Sequence, residues 1–91
     1  MILNLKDKNN KQIKVNDYFI QDDIINIITE DKQTNKIFIK TYELDKNNTL
    51  YFMQDDNLQE FNFFNMEIKG NLKKFNDFND FQIYLYNQIK G

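Results

Sequence analysis

Apolar and polar residues alternate along most of the chain, and this period of two predicts β-strands joined by short polar turns. The first strand is expected from Ile2 to Lys6. Asp7-Lys8-Asn9-Asn10 follows as a hairpin turn, because Asn tolerates the left-handed backbone that such turns need. Alternation resumes at Gln12, and a second left-handed residue at Asn16 predicts a sharp bend before the strand Tyr18-Phe19-Ile20.

The middle of the chain predicts three further strands, which cover residues 24–30, 36–44 and 49–53, with residues 54–57 as a loop. Asp45-Lys46-Asn47-Asn48 repeats the four residues of the first turn. Asp45, Asn47 and Thr49 also have the first three ligand spacings of an EF-hand calcium loop. Leu50 stands where that loop needs Gly, so the sequence favours a turn.

Aromatic residues are concentrated between Leu58 and Lys69, where the apolar positions are Phe61, Phe63, Phe64, Met66 and Ile68. The adjacent pair Phe63-Phe64 breaks the alternation and predicts a bulge or turn near Asn65. The spacing favours a Phe core, with an exposed platform for stacking bases as the alternative. Gly70 is expected to permit a close backbone approach or a tight turn, before a short strand over Leu72 to Phe75.

Residues 77–90 predict a C-terminal helix, with Asp77 as its cap and Gly91 at its end. One stripe of this helix would pack on the sheet and consists of Phe78, Phe81, Leu85 and Ile89. Ile83 lies on the opposite side with Tyr86 at helical distance from it. This second apolar face is the predicted contact with a partner or a second subunit. A strand is the alternative, because residues 81–86 also alternate.

The 91 residues are enough for one domain, a β-rich part over 1–76 followed by the helix. The net charge of −2 is distributed in alternating basic and acidic blocks, which suggests oppositely charged neighbouring strands rather than a basic or acidic face. No apolar run is long enough to span a membrane and the start lacks signal-peptide features, so a cytoplasmic location is expected. The Asn-rich and Lys-rich composition resembles that of AT-rich bacterial or phage genomes.

Catalytic chemistry has little support in this composition. Cys, His, Arg and Ser are absent, which removes thiolate ligands, the usual neutral-pH base and the usual guanine reader. The adjacent carboxylates Asp55-Asp56 invite acid–base chemistry, and a solvated turn is the favoured interpretation. We therefore predict no catalytic residue, no metal and no cofactor, and a protein that is not an enzyme.

Two segments resemble the YopX-type family of phage proteins. Lys6 to Asp17 is similar to the family segment Lys-Asp-Lys-Asn-Gly-Lys-Glu-Ile-x-x-Gly-Asp, with Asn10 and Asn16 in place of Gly. Met66 to Leu72 is similar to its Glu-Val-Ile-Gly-Asn-Ile segment. The resemblance covers roughly residues 5–76. It implies a small SH3-like barrel of phage or prophage origin, and no activity, since the family has no established reaction.

The predicted fold is therefore mainly β: a small bent antiparallel sheet or SH3-like barrel of five to six strands with a C-terminal α-helix. The first functional hypothesis is a protein-interaction module of mobile-element origin that could inhibit a host protein such as a defence effector, with self-association as a further option. The alternative is a small nucleic-acid-binding domain whose backbone contacts come from Lys6, Lys8, Lys11 and Lys14, with Lys73 and Lys74 as additions.

Overall fold

Five antiparallel strands form one sheet in the computed structural model, which describes residues 3–90. They are β1 (Asp17–Gln21), β2 (Ile24–Asp31), β3 (Lys36–Leu44), β4 (Leu50–Asn57) and β5 (Ile68–Asn71), and the helix α1 (Phe78–Ile89) follows. The spatial order is β4-β3-β2-β1-β5, so β4 and β5 are the edges of an open sheet. The mainly β class with a C-terminal helix is confirmed, and its form is the bent sheet rather than a closed barrel.

Side chains from both faces of the sheet are buried, which gives the protein two small cores. On one face Tyr18, Ile25 and Ile27 pack against Phe81 and Leu85 of α1. The opposite face is covered by the N-terminal segment and by the chain between β4 and β5, and its buried residues are Ile13, Phe19, Ile28, Ile39, Phe63 and Ile68. Full burial of one such side chain stabilises the folded state by roughly 1.5–3 kcal/mol. Because each core contains only a few of these side chains, the short chain needs both cores to stay folded.

The chain turns by means of Asn and Asp rather than Gly. Five residues other than Gly have a positive φ, and they are Asn10, Asn16, Asp22, Asn35 and Asn48. These short polar side chains accept the left-handed backbone at low cost. The predicted left-handed positions at Asn10 and Asn16 are confirmed.

The repeated Asp-Lys-Asn-Asn motif forms the same turn twice. The Asp7 Oδ1 atom accepts the backbone N–H groups of Asn9 and Lys11 at 2.9 and 2.8 Å. In the second copy the Asp45 Oδ1 atom accepts those of Asn47 and Thr49, both at 2.9 Å. The turn prediction is confirmed at both places, and at each the Asp carboxylate organises its own backbone.

Only the first copy is also joined to a distant part of the chain. Asp7 is 4% exposed, and its Oδ2 atom accepts the backbone N–H of Ile68 at 2.9 Å. Next to it, the Lys8 N–H donates to the Met66 carbonyl at 2.8 Å. Burial raises the pKa of the Asp7 carboxyl, but the three backbone N–H donors outweigh burial and hold that pKa below its ordinary value. An ionised carboxylate therefore fastens the N-terminal turn to β5.

The predicted C-terminal helix is confirmed, and the strand alternative is wrong. The Asp77 side chain caps α1 by accepting the Asp80 N–H at 2.8 Å. Phe81 lies edge-on to Tyr18 with ring centroids 4.9 Å apart. The Gln82 side chain accepts the Leu50 N–H at 2.9 Å, which fixes the helix to the start of β4. Gly91, the expected end, lies outside the described residues.

Four local predictions need correction. β4 continues to Asn57, so residues 54–57 are strand and not loop. The aromatic stretch, whose apolar residues have strand spacing, forms two 3₁₀ helices, Leu58–Glu60 and Phe63–Asn65. Of the bulge or turn expected near Asn65, the turn is confirmed. The expected strand over 72–75 is a 3₁₀ helix, Leu72–Lys74, which begins because the Asn71 side chain accepts the Lys73 N–H.

The fourth correction concerns the start of the chain. The expected strand from Ile2 to Lys6 is reduced, within the described residues, to one bridge between Lys6 and Gln12. Ile2 itself lies outside them. The adjacent Gln12 side chain explains the irregular backbone, because its amide group donates to the carbonyls of Leu3 and Leu5.

Gly70 permits a close approach between β5 and the ring of Tyr18, and this part of its prediction is confirmed. The two residues are partners in the β1–β5 pairing. A Cβ atom at position 70 would lie 2.6 Å from the Tyr18 hydroxyl oxygen and 2.7 Å from Cε1. Tyr18 is 2% exposed, so its ring has no space into which it could move.

We expect Gly70→Ala to lower the free energy of unfolding by about 1–3 kcal/mol, the usual cost of overpacking a closed core. If the added Cβ met no clash, the same change would instead raise the free energy of unfolding by roughly 0.5–1 kcal/mol. The sign of the measured change therefore shows whether the Tyr18 ring lies this close to position 70. Urea unfolding measures it, with Lys69→Ala on the same strand as the exposed control. A Gly70→Ala protein as stable as the wild type would contradict this packing.

We expect Asp7→Asn to cost about 2 kcal/mol at pH 7, because the buried Ile68 N–H then loses its ionised acceptor. Asp45→Asn is the matched control in the same turn and should cost clearly less. The folded-state pKa of Asp7 is depressed, so its stabilisation is complete above the unfolded pKa of about 3.9 and disappears as the pH falls through the folded pKa.

Unfolding in urea at pH 7 and pH 3 therefore tests both the size of the destabilisation by Asp7→Asn and the direction of its pH dependence. The difference in the free energy of unfolding between the wild type and Asp7→Asn should be smaller at pH 3 than at pH 7. A gap that stays constant, or an Asp45→Asn protein that is equally destabilised, would show that the Asp7 carboxylate does not fasten the turn to β5.

Candidate functional site

The lysines named in the sequence analysis do not form one patch. Lys6 and Lys8 line a cavity of about 620 Å³ between the first turn and the chain that follows β4. Lys14 lines a separate depression together with Lys32 and Lys73. Lys11 and Lys74 are exposed and line neither space.

The cavity beside Lys6 and Lys8 also has an aromatic wall, and we call it the aromatic–lysine cavity. Its lining residues come from the N-terminal turn and from the second 3₁₀ helix, and the rings are those of Phe61, Phe63 and Phe64. Phe61 and Phe63 are stacked at 27° with centroids 6.1 Å apart. A volume of 300–1,000 Å³ is usual for ligand sites, so this cavity has the size of one.

The two ends of the aromatic wall differ in burial. Phe63 is 5% exposed and belongs to the core, whereas the neighbouring Phe64 is 82% exposed. The 3₁₀ turn explains the difference, because the Asn62 side chain accepts the Phe64 N–H at 3.1 Å and directs the two adjacent rings apart. The Phe-core prediction is therefore confirmed for Phe63, while Phe64 presents its ring to solvent.

The charge at the cavity is positive on its accessible side. The Asp7 carboxylate also lines it, but that group is occupied by three backbone N–H donors. The Lys8 ammonium lies 3.7 Å from Glu67 and keeps about half of its side chain exposed. An exposed pair of this kind holds the two groups only weakly, so Lys8 can exchange its partner for another anion.

A second candidate surface lies at the opposite edge of the sheet from β5. Tyr51, Phe52 and Met53 of β4 are 56%, 53% and 52% exposed. The Phe52 ring is 5.7 Å from Tyr42 of β3, and Tyr42 is 5.6 Å from Phe78 of α1. We call these five residues the apolar strip. Its rings Phe52, Tyr42 and Phe78 run from the edge strand to the start of the helix on one face, whereas Tyr51 points to the other face because neighbours in a strand alternate.

Carboxylates flank the apolar strip. A hydrogen bond to Asp45 raises the pKa of the Tyr51 hydroxyl, and the negative charge of that carboxylate adds to the effect. Burial raises the pKa of Tyr42, and the charge of Asp55 raises it further. Residues 40–57 carry four carboxylates and two lysines, so the strip lies in an acidic part of the surface.

The helix residues proposed for a partner contact are placed differently from each other. Ile83 is 43% exposed, as expected for the outer side of α1. Tyr86 packs against the first core and is only partly accessible. The exposed neighbour of Ile83 is instead Tyr84, which is 38% exposed and whose ring is 5.2 Å from Phe75.

Asp55 and Asp56 are neighbours on β4, so their side chains point toward opposite faces of the sheet. Across residues 3–90 no three acidic side chains come close enough together to hold a metal ion. In that same part of the chain no helix has the length and apolar character that crossing a membrane requires.

Sequence reasoning missed Phe52 and included Phe64 only as a member of the Phe cluster, with an exposed platform as the alternative, although a signal for each was present. Tyr51-Phe52-Met53 is an apolar run within a strand, and alternation places at least one member of such a run on an uncovered face. Phe63-Phe64 is an adjacent aromatic pair, of which only one ring can enter the core. Which ring remains exposed depends on the covering layers, and these are not visible in the local pattern.

Comparison of the chain with protein-family models finds no match, and neither does comparison with curated proteins or with solved structures. The similarity to YopX-type proteins therefore stays a prediction from two short segments. The function has to be argued from the two surfaces themselves.

Proposed function

We propose that this protein is a binding module whose apolar strip receives a basic segment of a partner protein. The observation that carries the proposal is the row of rings that runs from Phe52 on the edge strand through Tyr42 to Phe78, with the Phe52 ring more than half exposed. Contiguous exposed apolar surface marks interaction sites in soluble proteins. The proposal keeps the non-enzymatic interaction hypothesis of the sequence analysis and moves its surface from Ile83 and Tyr86 to β4.

Exposure of this strip is costly to the isolated protein. When a partner covers a large apolar side chain, the free energy of binding gains roughly 25 cal/mol for each Å² of apolar surface that is removed from water. Rings anchored at the centre of an interface are the usual binding hot spots. Phe52 has this central place, because its ring contacts Tyr42 while the side chains on both sides of it are exposed.

The charges around the strip support a basic partner. Burial and then the negative charge of Asp55 raise the pKa of Tyr42, and the hydrogen bond to Asp45 together with its charge raises the pKa of Tyr51, so both carboxylates act on the surroundings of the strip. A segment with Lys or Arg beside apolar residues would complement both the rings and the carboxylates. The Lys40 ammonium already lies 5.8 Å from the Phe52 ring centroid, so this ring accepts a cation, and a cation of the partner would take the place of Lys40 there.

The shape and charge of the edge strand β4 disfavour a second copy of this protein as the ligand of the apolar strip. Phe52 pairs with Tyr42 and Gln54 with Thr41, so Met53 is the extra residue of a β-bulge. Bulges on edge strands oppose edge-to-edge pairing between copies. Pairing of two β4 strands would also bring two acidic sets of side chains together, which costs energy.

The mobile-element origin and the inhibition of a host protein stay predictions from the YopX-type resemblance. Binding of a basic segment is compatible with such a role, because inhibition by occupation needs no reaction in the inhibitor. The proposal rests on the apolar strip alone and does not depend on this origin.

A displayed library of random twelve-residue peptides, selected against the wild-type protein, tests the proposal. We expect enriched peptides that combine aromatic or aliphatic residues with Lys or Arg. Phe52→Ala should raise their Kd about tenfold, since loss of a central ring costs on the order of 1–2 kcal/mol. Fluorescence anisotropy measures the Kd.

Phe64→Ala is the control, because it removes a ring that lies outside the strip and is even more exposed than Phe52, 82% against 53%. It should leave the peptide Kd unchanged. Enrichment of acidic peptides, or equal affinity for the wild type and Phe52→Ala, would refute the proposal. So would a wild-type dimer that Phe52→Ala dissociates in sedimentation, because a second copy would then be the occupant.

A further inference from the structure

The aromatic–lysine cavity combines three features that the apolar strip lacks. It is concave, it has two lysines at its rim, and one of its rings is almost fully in solvent. Its lining residues and those of the apolar strip have no member in common. The cavity therefore needs an explanation independent of the proposed function.

From this geometry we infer that the aromatic–lysine cavity binds single-stranded nucleic acid. One base stacks on the Phe64 ring, and the phosphates on either side of it pair with Lys6 and Lys8. Sites of this class combine aromatic rings, on which bases stack, with cations that follow the backbone. This narrows the nucleic-acid-binding alternative of the sequence analysis. Of its four lysines, only Lys6 and Lys8 act together, and they lie beside rings that are more than 50 positions away in the sequence.

Phe64 is the element that favours a base over other anionic ligands. Its ring is the most exposed large apolar side chain among the described residues. A base offers a flat face of matching size, and every base has one, so this contact tolerates any sequence. An acidic peptide would satisfy the lysines but would leave the ring in water.

Lys8 is free to pair with a phosphate because its present partner, Glu67, has a second lysine beside it. Lys8 shares Glu67 with Lys69, whose ammonium is closer to that carboxylate, at 3.2 Å against 3.7 Å. Lys69 lowers the pKa of Glu67 first and Lys8 adds to the effect, so Glu67 stays ionised and paired when Lys8 turns to a phosphate. The Asp7 carboxylate fixes the turn from which both lysines project.

The geometry disfavours an intact duplex. Bases within a duplex are already stacked on each other, so their faces are not free to stack on the Phe64 ring. The protein also lacks Arg, the residue that most often reads base edges in the major groove. Single strands with unstacked bases are the form of nucleic acid that fits this wall, whether they are DNA or RNA.

Fluorescence anisotropy with labelled ten-residue oligothymidylate and oligouridylate tests the inference. We expect saturable binding of at least one probe at 50 mM salt, and Phe64→Ala should raise its Kd at least fivefold. Phe64 is so exposed that the variant keeps its fold, which thermal unfolding verifies. Two phosphate contacts predict about sevenfold weaker binding at 200 mM salt.

The repeated turn supplies a matched control for charge. Lys8 and Lys46 occupy the same position in the two Asp-Lys-Asn-Asn turns, and only Lys8 lines the cavity. Lys6→Gln combined with Lys8→Gln should weaken binding and flatten its salt dependence, whereas Lys46→Gln should do neither. Phe52→Ala should likewise bind the oligonucleotides as the wild type does, which separates this test from that of the apolar strip.

Several results would overturn the inference. One is that neither oligonucleotide binds at 50 mM salt. Another is that Lys46→Gln weakens binding as much as the Lys6 and Lys8 changes, which would indicate diffuse attraction. A third is that a ten-residue polyglutamate peptide binds as tightly as the oligonucleotides, because charge alone would then be sufficient. Stronger binding to a ten-base-pair duplex than to the single strands would also contradict it.

Discussion

The buried carboxylate of Asp7 is the interaction on which the architecture depends. Its two oxygen atoms accept three backbone N–H groups, of which two lie in its own turn and one belongs to Ile68, 61 positions further along the chain. That last bond joins the N-terminal segment to β5, which in turn pairs with β1. The second core is closed by this arrangement, because Ile13 of the N-terminal segment and Ile68 of β5 are both buried in it with Phe19 and Phe63. The same turn carries Lys6 and Lys8, so the constraint that closes the fold also positions the cavity.

A chain of this size has few residues with which to cover both faces of its sheet. α1 covers one face, and the N-terminal segment with the 3₁₀ helices covers the other, but neither covers the middle of β4. From Tyr51 to Asp55 every side chain of that strand is exposed. The acidic apolar strip and the aromatic–lysine cavity are thus two places where the covering layers end, and they carry opposite charge. Opposite charge is the reason for proposing different ligands: a basic protein segment for the first and a phosphate backbone for the second.

Much of the fold could be predicted from the sequence. The isoleucine-rich strand β2, the full extent of β3, both Asp-Lys-Asn-Asn turns and the Asp77-capped helix follow local rules of alternation, turn chemistry and capping. The failures have different causes. Asn57, Asn62 and Asn71 each accept a backbone N–H and start a 3₁₀ helix, a short-range bond that competes with strand formation in a segment whose apolar pattern resembles a strand. At the start of the chain the Gln12 amide group donates to the carbonyls of Leu3 and Leu5. The candidate sites were less predictable, because the exposure of Phe52 and Phe64 depends on where α1 and the N-terminal turn stop. Lys6 and Lys8 could be named in advance, but their proximity to Phe64 comes only from the long-range bond of Asp7.

The central claim is that one turn, held by Asp7, builds a site for a single-stranded nucleic acid. Mapping of backbone amide chemical shifts during titration with oligothymidylate tests it most directly. The account predicts that the largest changes occur in two separate stretches, Lys6 to Asn10 and Phe61 to Asn65, while the amides of β4 from Tyr51 to Gln54 stay in place. Changes confined to Lys14, Lys32 and Lys73, or spread evenly over all lysine-bearing segments, would contradict it.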